Sequence, residues 1–166
     1  MRSARLDAAL GERQGSPELA DLAPHLKGLG AGKLSTPYKS VLLFHPSAFA
    51  DEPQRTGDCV SMATRNAIDI ARAVEIHTGD REGWHARTAT EPIYGYRGHA
   101  SEGMSPALAT EFVTKYGSLL RQRYPFVDLS TYDARIGTRW GRSGPPDAVK
   151  QEAAQHPARC FARIRT

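Results

Sequence analysis

From residue 59 the apolar positions Val60, Ala63, Ala67, Ile70, Ala71 and Val74 recur at three- and four-residue spacing, with Arg65, Asp69, Arg72 and Glu75 on the opposite side. That period belongs to an α-helix with one face in a core and one in water. The longest helix is therefore expected over 59–76, apolar stripe inward and charged stripe outward with i,i+3 and i,i+4 pairs. Asp58 stands where an N-cap is wanted, and Thr78-Gly79 supplies a stop. A second helix is expected over 106–116, with Ser105 as N-cap, Pro106 at the first helical position, Leu108, Phe112, Val113 and Tyr116 as its stripe, and Gly117 as terminator. The run YKSVLLF at 38–44 is short, apolar and flanked by prolines, which predicts a strand.

Elsewhere the pattern is weaker. Residues 1–35 hold two short helical patterns, SARLDAALGERQ and PELADLAPHLK, separated by Gly15-Ser16-Pro17 and followed by the glycine-rich GLGAGKLSTP. They read as an N-terminal extension, 1–35, ahead of one domain, 36–166. EPIYGYRGHASEG is polar and spaced by glycines, so a loop is expected between the two helices. SLLRQRYPFVDL, a turn-rich GTRWGRSGPPD, a short helical pattern at 146–155 and a closing alternation, CFARIRT, that reads as the start of a strand complete the chain. The expected class is α+β, mainly helical.

Composition narrows the function. With 166 residues, 40% hydrophobic and 24% charged, the chain matches an ordinary globular domain and is a poor match to disorder or fibre. No run approaches the roughly 20 apolar residues a membrane span needs, and MRSARLDAALGERQG lacks an export signal, so no membrane partner and a cytoplasmic location are expected. Two cysteines suit a reducing compartment. The net charge of +4 is concentrated late, residues 112–166 carrying 10 basic and 4 acidic side chains. Its arginines lack interleaved stacking aromatics, so nucleic acid is not the favoured partner. There is neither a C-x-x-C nor an H-E-x-x-H, and neither metal nor cofactor is expected.

Candidate chemistry centres on Cys59. A thiol is a nucleophile as thiolate, and a helix start favours that form through its unpaired N–H groups. A backbone N–H there, with the amide of Gln54 five residues upstream, could serve a developing oxyanion. Against this stands the ordinary role of a free cysteine as a small packing group. Asp58 reads as a helix cap or as a polar residue of a cleft, Trp84 and Trp140 as covers of core edges, and Cys160 as a buried strand residue.

The order of these residues resembles the helical half of the papain-like cysteine peptidases: a glutamine, a short turn, a cysteine opening the central helix, then a glycine loop running into a second helix, here GMSPALATEFVTKYG at 103–117, and a YPF turn at 124–126. The resemblance covers about 54–126. It implies a thiol hydrolase acting on a peptide or protein substrate, with Cys59 as nucleophile, Gln54 and the Cys59 N–H as oxyanion hole, and the loop of Glu102 and Gly103, with His99 beside it, along the substrate. Departures are GDCVS in place of the family's C-G-S-C-W, Gln54 one residue closer to the cysteine, and Glu102 in place of the first glycine of a Gly-Gly pair. The family histidine follows its cysteine by roughly 130–150 residues; 107 residues follow Cys59 here. The resemblance thus implies a truncated catalytic domain whose β-rich half, or a partner chain, supplies the base. Within the chain His156 and His99 are the candidates, and His25, His45, His77 and His85 read as surface or turn residues. Two alternatives stand beside the hydrolase: a non-catalytic scaffold or structural protein of a larger particle, and a compact cell-wall hydrolase using His99.

Overall fold

The computed structural model describes residues 37–49, 52–77 and 83–156. The expected patterns of 1–35, the stop at Thr78-Gly79, Cys160 and CFARIRT lie outside them. The described elements are α1 (Tyr38–Phe44), α2 (Cys59–His77), α3 (Glu91–Gly95), α4 (Pro106–Lys115), β1 (Arg123–Tyr124), β2 (Val127–Asp128), α5 (Ala134–Trp140) and α6 (Asp147–Ala153). Mostly helical with a small antiparallel sheet, in which Tyr124 pairs with Val127, they agree with the α+β class.

Helix α4 forms as its sequence requires. Ser105 takes an extended backbone and accepts a hydrogen bond from the Leu108 N–H, Pro106 opens the first turn, and Gly117 ends the helix at φ +92°. Phe112 and Val113 bury its inner face with Ile93, Tyr94, Met104 and Ala109. Removing the cap with Ser105→Ala is expected to lower stability by about 1 kcal/mol, read as a shift in the urea midpoint at unchanged m.

Helix α1 corrects the expected strand at 38–44. Its apolar residues do not alternate between two faces: Val41 is fully buried, Leu42 and Phe44 pack beside it, and Leu43 is 65% exposed. Pro37 sits at the N-cap, where its missing N–H is harmless, and the His45 N–H closes the helix on the Val41 carbonyl at 2.8 Å.

The expected loop 91–103 is corrected in its first third, which is helix α3, buried throughout. Pro92 is tolerated in the first turn, and a Cβ on Gly95 would stand 2.8 Å from Trp140 Cβ, so the missing side chain lets α3 pack on α5. Arg97 then turns inward and donates to the carbonyls of Tyr94, Ser101, Gly137 and Thr138 at 2.9–3.3 Å. Part of the expected turn-rich segment is likewise helical, because Asp133 caps α5 by accepting from the Arg135 N–H at 2.9 Å.

The larger correction concerns α2. Its length is as expected, but it is rotated by nearly half a turn: Ser61, Met62, Arg65, Asp69 and Ala73 are buried, while Ala63, Ala67 and Ala71 face solvent. A charged helical face can go inward only if every charge meets a partner. Those partners come from segments remote in sequence.

Candidate functional site

Segments 87–89 and 119–121 run antiparallel, joined by Ala89 N–H to Leu119 O at 2.7 Å and Arg121 N–H to Arg87 O at 2.6 Å. This bridge aims Arg87 and Arg121 at the polar face of α2. Arg87 donates to Asp69 Oδ2 (3.2 Å), Asn66 Oδ1 (2.9 Å) and the Ala48 carbonyl, and the second Asp69 oxygen accepts from the Thr88 N–H at 3.0 Å. Arg121 Nη1 donates to both carboxylate oxygens of Glu91, at 2.7 and 2.6 Å, and the guanidinium also donates to Glu52, which pairs with Arg65. The remaining demand of Glu91 Oε1 is met by the Asp133 N–H at 2.9 Å. Three guanidinium groups and three carboxylates thereby neutralise one another beneath the first turns of α2. Burial foremost, then the charge of Arg87, lowers the pKa of Arg65, with Glu52 and Asp69 opposing.

Above this network the chain turns through 54–58 into α2. A Cβ on Gly57 would stand 2.8 Å from Glu102 Cβ and 2.9 Å from the Gly103 nitrogen, so the turn lies directly on the Glu102–Gly103 loop. Thr56 Oγ1 fastens the two by donating to Glu102 Oε1 at 3.0 Å, and Gly103 adopts φ +88°. Cys59, at the first helical position, is exposed and free. Two of the regions singled out in the sequence, around the cysteine and around the glycine loop, are therefore neighbours.

The other expected site residues stand as follows. Gln54 is exposed, with its side-chain amide donated to the Thr56 carbonyl at 2.6 Å, within its own turn. His99 is exposed, with Nδ1 lying 2.8 Å from Ser101 Oγ and 3.1 Å from the Ser101 carbonyl. His156 is exposed after α6, and its carbonyl accepts from the Ser118 N–H at 3.0 Å. Among the described residues no hydrogen bond joins Cys59 to an imidazole, and no group of three His, Cys, Asp or Glu is placed to hold a metal ion.

Asp58 departs from the expected cap. Its carbonyl accepts from the Met62 N–H, but Asp58 is 1% exposed, its carboxylate Oδ2 accepts from the Tyr132 hydroxyl at 2.8 Å, and Oδ1 is buried with no partner among the described residues. Burial raises the Asp58 pKa, against the lowering effect of the Tyr132 bond, and Tyr132 is itself pushed well above the usual phenol range by burial and then by Asp58. Because the folded pKa exceeds the unfolded one, stability falls as pH rises from the usual carboxylate value, about 3.9, through the folded pKa. Asp58→Asn is expected to remove that fall, seen as a flatter dependence of the urea midpoint on pH over the acid range. Tyr132, Glu52, Glu91, Arg87 and Arg121 were not singled out from sequence as site residues; a buried-network role has no local signature.

A concavity of about 370 Å³ opens beside the network between the stacked rings of Phe44 and Trp84 and the side chains of Glu52, Arg87 and Arg121. Among the described residues no helix is long and apolar enough to cross a membrane. No family model, curated protein or solved structure matches this chain.

Proposed function

We propose that this chain is the nucleophile-bearing, helical half of a papain-like thiol hydrolase cleaving a peptide or amide bond. One observation carries the reading: an exposed thiol opens a 19-residue helix whose approach turn lies on the Glu102–Gly103 loop. In this reaction the Cys59 thiolate attacks the acyl carbon, and the oxyanion is met by the Cys59 N–H and by Gln54 after its amide turns from Thr56. The C–N bond breaks, the amine leaves with a proton delivered by an imidazole, and water then releases the acid from the thioester. The imidazole comes from a histidine-bearing segment or partner chain. A full chain carrying Cys160→Ser, treated with p-nitrophenyl acetate, is expected to gain an acetyl group on Cys59 faster than the urea-unfolded chain does, and Cys59→Ser is expected to abolish the adduct. Equal rates folded and unfolded would overturn the reading.

A non-catalytic scaffold is the second reading, favoured by the Gln54 amide being engaged within its own turn. Under it, Cys59→Ser leaves stability and assembly unchanged and the thiol acylates no faster than in the unfolded chain.

A further inference from the structure

The concavity beside the network, at about 370 Å³, falls within the roughly 300–1,000 Å³ of small-molecule sites. Its lining joins an aromatic wall to buried charge. Phe44, at the end of α1, stacks on Trp84 with ring centroids 5.7 Å apart and planes 12° from parallel. Arg72 of α2 holds the same indole, its guanidinium carbon 5.4 Å from the ring centroid, while donating to the Ala86 carbonyl at 3.3 Å. Trp84 is thus fixed by two partners before any ligand arrives.

The two arginines of the lining differ in what they have left to give. A guanidinium carries five N–H donors. Those of Arg121 are all engaged, by Glu52, Glu91 and Thr90. Arg87 commits Nε to Asp69, one Nη1 hydrogen to the Ala48 carbonyl and one Nη2 hydrogen to Asn66. One N–H on each terminal nitrogen of Arg87 therefore has no acceptor among the described residues, although its side chain is only 4% exposed. Buried donors of this kind are rarely left unpaired. Glu52 is the opposite case: Arg121 engages its Oε1, and Arg65 and Arg121 engage its Oε2. Asp69 and Glu91 do not line the cavity, so Arg87, Arg121 and Glu52 give the lining a balance of +1 with His45 and His85 counted neutral. An anion meets spare donors here, whereas a cation meets a carboxylate that is already paired.

We propose that this concavity binds a small aromatic carboxylate: its two oxygens take the two spare N–H of Arg87, and its ring lies along the Phe44–Trp84 wall. The site makes no use of Cys59 and stands apart from the hydrolase reading.

The experiment follows the indole N–H signals of the chain's two tryptophans in a proton–nitrogen correlation spectrum of the full chain, with Trp84→Phe assigning them. Sodium phenylacetate is expected to move the Trp84 signal saturably, with a midpoint in the millimolar range suited to a ligand of about ten heavy atoms. The signal of Trp140, which does not line the cavity, should stay in place. Acetate, without the ring, and phenethylamine, with a cation for the carboxylate, should each need at least about tenfold more. Arg87→Lys, which loses the paired fork, should weaken phenylacetate by about tenfold. Ala86→Phe fills the cavity from its own lining without touching an ion pair, and should abolish the shift. No saturable shift in the folded chain, an equal response to phenethylamine, or binding that survives in a folded Ala86→Phe chain overturns the proposal. If Arg87→Lys does not fold, Ala86→Phe and the amine still decide. Cys59→Ser should bind phenylacetate as the original chain does, so this site and the hydrolase stand or fall separately.

Discussion

Replacing Glu91 with alanine is expected to remove about 3–5 kcal/mol of stability, the range for breaking a buried ion pair from one side. The reason lies in what stays behind. Glu91 is 1% exposed and accepts both contacts from Arg121 Nη1 as well as the Asp133 N–H that leads into α5. Without it, Arg121 must share Glu52 with Arg65, so three guanidinium groups whose side chains are only 4–6% exposed face two carboxylates. Glu91→Gln should cost less, since an amide oxygen can still accept from Asp133. Glu91→Leu combined with Arg121→Met should recover much of the loss, because an apolar pair leaves no charge stranded. Urea denaturation of the full chain, with m-values checked for constancy, separates these cases. A single-variant loss below about 1 kcal/mol, the level of an exposed pair, would mean the network is open to solvent.

Gly117→Ala is expected to be nearly as damaging, at about 3 kcal/mol or more, and for a different reason. Its φ of +92° already disfavours any side chain, and a Cβ there would lie 2.0 Å from the Ala153 carbonyl oxygen and 2.6 Å from that of His156. Both obstacles are backbone, one at the last residue of α6 and one in the turn that follows it, so neither can rotate away as a side chain would. Gly103 gives an internal comparison: its φ of +88° is similar, but no atom lies within 4 Å of its Cβ position. Gly103→Ala should cost only the left-handed term of about 1–2 kcal/mol. Thermal or urea midpoints of the two variants should therefore differ clearly; equal losses would show that the Gly117 contact relaxes.

What could be read in advance follows the range of the interactions. Helix α4 was legible because Ser105, Pro106 and Gly117 act within a turn of their own positions. The extent of α2 was legible for the same reason, but its facing was not. Ala63, Ala67 and Ala71 are small enough to be nearly indifferent to burial, so their regular spacing carried little information about the core. Arg65 and Asp69 looked like a solvent face because their partners, Glu52, Arg87 and the Thr88 N–H, lie on other segments. For the site, Cys59 at a helix start and the Gly103 loop could be picked out, whereas Tyr132 and Arg121 reach it across 74 and 69 residues. The Asp58 cap failed for that reason also: a distant phenol claimed its carboxylate.

The inverted helix also decides where the molecule can be instrumented. Ala63, Ala67 and Ala71 lie one turn apart on the outer surface of α2. A fluorophore or spin label attached at any of them would ride on the helix that carries Cys59 without entering the interior. Distances from Ala67 to a second label on α4, at exposed Ala107, would then report whether substrate or a partner chain draws the two helices together.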